Sequence, residues 1–306
     1  MISISTAWNS SIDNVNGNLI VDQIKEIGVR NIELGFSLSA KTVDEIINRQ
    51  KSGEIVITSV HNFCPVPEGF DLSTFTPDFY SLSSDQSEQR KKAVDLTKES
   101  INTASFVQAK ALVLHSGRVE MPQRTKTLIE LYERGLKGQP EFEKYFSSMR
   151  EERANKSPVF LKSIINSLEE LLPFAKKRGV NICLENRFYY REIPSLTEFE
   201  EIFDYFSGAD NLFYWHDCGH AQVAGNLGFA KHSEYLERYG NKMLGIHLHD
   251  VTGAKDHQAP GLGNLNFSVL KPYLNGDIIQ VIEVHQPTTS RQIKEGIEHL
   301  REIGIV

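Results

Sequence analysis

Residues 244–267 read LGIHLHDVTGAKDHQAPGLGNLNF. The stretch opens as a short apolar run in which Ile246 and Leu248 alternate with His247 and His249. Side chains on a strand alternate between its two faces, so both imidazoles are expected on the face opposite the aliphatic residues. Asp250 follows at once, Asp256 and His257 come after a short interval, and a Pro-Gly-Leu-Gly turn spans Pro260 to Gly263. A strand end and its loop thus bring together histidines and carboxylates, the side chains that hold zinc, manganese and similar divalent ions. One such window is only suggestive. Its weight depends on whether other strands end the same way.

Eight apolar runs have strand length and composition: Ile2–Ser5, Asn31–Leu34, Ile55–Val60, Ala111–Leu114, Val180–Leu184, Leu212–Trp215, Leu244–Leu248 and Ile278–Val284. Between them lie stretches with apolar residues at three- and four-residue spacing, the signature of amphipathic helices. These are Leu19–Ile27, Thr42–Gln50, Gln86–Val107, Pro158–Arg178 and Leu196–Phe206. The tail Ser290–Ile303 places Ile293, Ile297 and Leu300 on one helical face. Strands alternating with helices predict a parallel sheet, and eight such units in 306 residues fit a single (β/α)8 barrel. An open doubly wound sheet would want a glycine-rich phosphate turn after the first strand, where the chain instead reads Thr6-Ala7-Trp8-Asn9-Ser10. Residues 1–306 read as one domain. After the fourth strand, an insertion of about 118–158 is dense in alternating charge, with helical patterns at Thr127–Leu136 and Glu141–Arg153. A lid over the barrel mouth and a solvated or oligomer-contact segment are equally open for it, and Phe70–Leu82 is a second candidate wall.

Composition narrows the partners. The chain is 40% hydrophobic and 24% charged, as soluble globular proteins are. No apolar run approaches the roughly 18 residues that span a bilayer. The start, MISISTAWNSS, lacks the basic and apolar segments of a signal peptide, which predicts a cytoplasmic protein. Cys64, Cys183 and Cys218 are too few for a disulfide framework and read as buried thiols, Cys218 beside Asp217. With 40 acidic against 33 basic residues the net charge is −7, a poor electrostatic match for a phosphate backbone, so a nucleic-acid partner is disfavoured. A homo-oligomer is left open.

Six consecutive strands finish in potential ligands. The third ends at His61, the fourth at His115, the fifth at Glu185-Asn186-Arg187, the sixth at His216-Asp217-Cys218-Gly219-His220, the seventh at His247-Leu248-His249-Asp250, the eighth at Glu283-Val284-His285. In a barrel these ends converge on the mouth where active sites are built. A lone strand-end histidine is usually a satisfied polar residue, whereas a shared face of several points to a metal centre.

The segments LVLHSG (Leu112–Gly117), CLENR (Cys183–Arg187), DCGHA (Asp217–Ala221), the HLHD and DHQAPGLG pieces and the later IEVH resemble the xylose-isomerase-like barrel superfamily. That superfamily includes sugar isomerases, epimerases and endonuclease IV-like enzymes of AP endonuclease family 2. The resemblance implies one divalent ion (manganese, magnesium, cobalt or zinc) held by Glu185, Asp217, His247 and Glu283. It implies isomerisation or epimerisation of a sugar or sugar-like polyol by proton transfer through a metal-stabilised enediolate, with Glu185 and Glu283 as acid and base. His61, His115, Arg187, His220 and His257 become candidate substrate contacts. For Arg187 a salt bridge to a strand-end acid is an equal reading. Trp8 and Phe63 are candidates for an apolar wall, and His216, His249 and His285 for orienting ligands from behind.

The nuclease branch of the resemblance implies further ions, at His61 and His115 sharing Glu185, and at His220 and His257 with an aspartate two residues before the latter. Lys255 stands at that position, with Asp256 one register off. A multi-zinc phosphodiesterase on abasic DNA is therefore the alternative, and a non-catalytic sugar or metal binder a third reading. The Pro260–Gly263 turn shapes the loop carrying His257 and resembles no phosphate loop, since no Lys-Ser/Thr follows.

Overall fold

The computed structural model describes residues 2–10, 16–70 and 76–306. Eight parallel strands close into a barrel: β1 (Ile2–Ser5), β2 (Asn31–Leu34), β3 (Val56–His61), β4 (Ala111–Leu114), β5 (Asn181–Glu185), β6 (Leu212–Asp217), β7 (Met243–Leu248) and, last in the chain, β10 (Ile279–Ile282). Each strand pairs with its sequence neighbour, and β10 closes the ring against β1. All eight expected runs are barrel strands. The loop after β7 adds an antiparallel hairpin, β8 (Asp250–Thr252) with β9 (Lys255–Gln258), which periodicity over so few residues did not signal.

Around the barrel lie α1 (Gly17–Ile27), α2 (Ala40–Lys51), α3 (Ser87–Phe106), α4 (Thr125–Glu133), α5 (Pro140–Lys176), α6 (Leu196–Tyr205), α7 (Cys218–Leu227), α8 (His232–Tyr239) and α9 (Ser290–Glu302). Their apolar faces pack on the strands, as in α9, where Ile293, Ile297 and Leu300 are buried. Side-chain caps fix several starts: Asn16 accepts from Leu19 N, Ser39 from Thr42 N, and Thr289 forms a reciprocal box with Gln292. No helix among the described residues is long and apolar enough to cross a membrane.

Two helical expectations change. Glu141–Arg153 and Pro158–Arg178 are one continuous helix, α5, which passes through Pro158 although proline removes a helical hydrogen bond there. The segment after β4 therefore runs into α5 without a break at 158. The helices α7 and α8 went unmarked because glycine and histidine dilute their apolar spacing.

The core has two parts. A large cluster lies between barrel and helices. A smaller one fills the barrel itself: Ala111, Val113, Cys183, Trp215, Ile279 and Val281. Close filling requires Gly245, because a Cβ there would lie 2.1 Å from the Trp215 ring.

Candidate metal centre and cavity

Continuing inward along the same strands, two residues past this apolar layer, come Glu185 after Cys183, Asp217 after Trp215, His247 after Gly245 and Glu283 after Val281. The period of two keeps each on the barrel-facing side. Strand register completes the convergence: Asp217 stands opposite His247, and His247 opposite Val281. One ligand atom from each of Glu185, Asp217, His247 and Glu283 lies within 4.8 Å of every other, and all four residues are buried.

His247 Nδ1 is 2.9 Å from Glu283 Oε2 and 3.2 Å from Glu185 Oε1, with Asp217 Oδ2 at 3.7 Å. Its Nε2 lies 3.1 Å from Glu33 Oε1, and Glu33 also accepts from Ser59 Oγ at 2.8 Å. Glu33 is wholly enclosed in the barrel and holds the imidazole with Nδ1 toward the other three residues. Sequence reading missed it. Its only signal was a carboxylate inside the apolar run Asn31–Leu34. Burial disfavours the charged imidazole, but Glu283 and Glu33 outweigh it and raise the His247 pKa well above the usual histidine value.

Asp217 caps α7, accepting from His220 N at 2.7 Å. Asn186 pairs with it through the backbone, its amide donating to Asp217 O and its carbonyl oxygen accepting from Asp217 N, both at 2.8 Å. His249 Nε2 reaches Asp217 Oδ1 at 2.9 Å, while His249 Nδ1 accepts from His257 N at 2.9 Å. That second bond leaves the ring proton on Nε2, so His249 donates to the carboxylate and orients it. The ring fits only because residue 219 is glycine, where a Cβ would lie 2.0 Å from the His249 ring. Burial pushes the Asp217 carboxyl up, yet His220 and His249 hold it well below the carboxylate range.

Glu185 is flanked by imidazoles. His115 Nε2 lies 3.0 Å and His61 Nε2 3.5 Å from its Oε2, and Arg187 Nη1 donates to the same oxygen at 3.1 Å. Against the burial penalty, hydrogen bonds from His115, His247 and His61 keep its pKa well below the usual value. His61 Nδ1 meets its own chain at Asn62 O, and His115 Nδ1 meets Asp78 Oδ2 at 3.1 Å. Both rings thereby turn Nε2 toward Glu185. His61, His115 and Glu185 form a second group with ligand atoms within 4.8 Å of one another, and Asp217, His220 and His257 a third.

A cavity of about 470 Å³ opens above the centre. His61, His115, Arg187, His220 and His257 all line it, as do Glu185 and Glu283. Asp217 and His247 lie beneath its floor, each wholly buried. Arg187 realises the salt-bridge reading, reaching Asp78, Glu185 and Glu192 at 3.1 to 3.4 Å, and those carboxylates raise its pKa despite burial. Asp78 and Glu192 are further cavity carboxylates that loop sequence did not single out, and Asp256 joins them. Asp256, one register from the expected position, still reaches the histidines, its Oδ2 lying 3.1 Å from His257 Nδ1 and 3.7 Å from His220 Nε2. His257 has φ 53°, in the left-handed region that non-glycine residues seldom adopt.

Phe36 lines the cavity, whereas Trp8 and Phe63 are buried packing residues, Trp8 Nε1 donating to Thr288 O at 2.7 Å. His216 faces away, between Tyr214 and His232, and His285 lies on the rim. Asp250 accepts from the backbone N–H groups of Val251, Gly261 and Leu265, which folds the Pro260–Gly263 turn back on the hairpin. Of Phe70–Leu82, residues 71–75 fall outside the described residues, and Thr76, Pro77 and Asp78 form cavity wall. From the segment after β4 only Arg118 lines the cavity. Its helices brace the β5 loop, through Thr125 Oγ1 to Tyr190 N and through Arg153, which grips Tyr190 O, Glu192 O and the Glu198 carboxylate at 2.7 to 2.9 Å.

The family profile described as Xylose isomerase-like TIM barrel matches residues 21–303. An uncharacterized protein of Methanocaldococcus jannaschii, MJ1614, is 24% identical over 288 residues, 92% of this chain and 91% of its own. Similar solved structures include a D-tagatose 3-epimerase-like protein (TM-score 0.66, 20% identity, 98% of this chain and 96% of that one). Another is the 3-keto-D-glucoside 4-epimerase YcjR of E. coli (0.67, 16%, 98% of each chain). A third is an IolI protein with a bound zinc atom (0.66, 15%, 99% and 97%).

Proposed function

This chain belongs to the xylose isomerase-like TIM barrel family, and on that premise we propose that it is a divalent-metal-dependent isomerase or epimerase of a sugar or sugar-like polyol. The observation that carries the reading is the division within the four-residue centre: Glu185 and Glu283 line the cavity, and Asp217 and His247 lie buried below it. The centre suits a cation. Three enclosed carboxylates facing one another are costly unless a positive charge joins them, and an oxygen-rich set with one imidazole fits manganese, magnesium, cobalt or zinc. The zinc of the IolI relative and the epimerase names of the other two agree with this.

Glu185, Asp217, His247 and Glu283 would hold the ion. When bound, it polarises the substrate's carbonyl and hydroxyl oxygens and offsets the negative charge that develops on them. Glu185 and Glu283, ionised at neutral pH by their histidine partners, are the groups that take a proton from a carbon beside the carbonyl and return one. Return to the opposite face of the same carbon inverts it, and return to the neighbouring carbon moves the carbonyl. His61, His115, His220 and His257 are suited to bind substrate hydroxyls, and Arg187 to keep Glu185 in place. The test is deuterium uptake from heavy water into the carbon-bound positions of a ketose panel by the manganese-loaded protein. Exchange lost in Glu185→Gln supports the reading; no exchange with any ketose would sink it.

A second reading, a multi-zinc phosphodiesterase on abasic DNA, is favoured by the two flanking groups His61–His115–Glu185 and Asp217–His220–His257. The net charge of −7 and Lys255 at the expected aspartate position weigh against it. Nicking of abasic duplex by the zinc-loaded protein would decide for it.

A further inference from the structure

The loops after β7 and β10 enclose a second hollow, of about 370 Å³, beside the central cavity. Asp256, His257 and His285 line both, so the two hollows adjoin along one shared wall. That wall is a stack of flat rings: His257 and His285 lie 3.9 Å apart at 4°, and His249 backs His257 at 4.2 Å. The far side is fixed to the barrel, since Trp8 donates to Thr288 O and Gln286 donates to Trp8 O at 2.9 Å. Gln286 and Thr288 add polar side chains to the lining, and Leu262, 52% exposed, adds an apolar surface.

We propose that this hollow is a subsite for a second sugar ring, and that the substrate is a glycosylated ketose or similar polyol rather than a free monosaccharide. The inference rests on the sugar isomerase or epimerase reading. Pockets of ~300–1,000 Å³ take drug-sized ligands, and a hexose of about a dozen heavy atoms fills little of two joined hollows. The lining suits a neutral ring, with amides and a hydroxyl for its oxygens and the outer face of His285 and Leu262 for its C–H surface. An anion is poorly served. The Thr289–Gln292 capping box occupies the Gln292 amide oxygen and the Thr289 hydroxyl at the start of α9, and Asp256 puts a carboxylate on the shared wall. Lys255 is the single Lys or Arg of the lining and is exposed to solvent.

Calorimetric titration of the manganese-loaded protein with D-fructose, fructose 6-phosphate, isomaltulose and lactulose tests this. The expected result is that one of the two ketose disaccharides binds about tenfold tighter than fructose. Thr288→Trp, which fills the hollow, should abolish that advantage and leave fructose affinity unchanged. Equal affinity for mono- and disaccharides, a preference for the phosphate, or a disaccharide preference untouched by Thr288→Trp would overturn the subsite. Deuterium exchange on fructose in the same samples reports the catalytic reading separately, so either can fail without the other.

Discussion

The barrel interior has two storeys built by the same strands. The lower holds Ala111, Val113, Cys183, Trp215, Ile279 and Val281; the upper, two residues on, holds Glu33, His61, Glu185, Asp217, His247 and Glu283. Backbone geometry is shared, and burial is nearly complete in both. Only chemistry differs. Below, packing stabilises and nothing is left to react. Above, several carboxylates and imidazoles are kept from water, an arrangement that is costly without a cation and therefore reads as function rather than stability.

If the contrast holds, substitutions should separate cleanly by storey. The largest effect is expected for Glu283→Gln, which should cut deuterium exchange on the order of a thousandfold and strip the metal, while circular dichroism stays native. Next, Glu33→Gln should leave the four central donors in place yet weaken manganese binding about 10- to 100-fold by calorimetry, because His247 loses the partner that turns it. Unchanged affinity would mean that Glu33 is packing only. In the lower storey, Gly245→Val should push into Trp215 and lower stability by about 1–3 kcal/mol in urea without changing metal stoichiometry.

The smallest effect lies outside both storeys. His232, 3.0 Å from His216, is kept neutral by burial, with its pKa pushed down to about 4. The unfolded chain takes up a proton at this residue as pH falls through its ordinary value near 6.5, and the folded chain only near 4. Stability contributed by the neutral ring is therefore full above about 6.5, drains as pH falls, and is lost below 4. Urea midpoints measured from pH 7 to 4 should fall less steeply for His232→Gln than for the parent.

Much of the fold was legible because strand-length apolar runs recur at regular intervals, and all eight form the barrel. Helix ends set by proline were less so, since Pro158 reads as a start and is in fact passed within α5. At the site, residues at strand ends could be read from their alternation, and Glu185, Asp217, His247 and Glu283 do converge. Glu33 was hidden because its meaning depends on a partner more than two hundred residues away. Asp78 sits on a loop and Asp256 on a hairpin strand of four residues, too short for periodicity to say which way a side chain points. Asp256 lay one position from the expected register, yet the hairpin brings it to His220 and His257.

The most direct test of the centre is elemental analysis of protein purified without chelators and reconstituted separately with manganese and zinc. About one ion per chain is expected, absent in Glu283→Gln and retained in Gly245→Val. Protein that holds no ion, or that holds three zinc ions through Glu283→Gln, would contradict a single ion shared by Glu185, Asp217, His247 and Glu283.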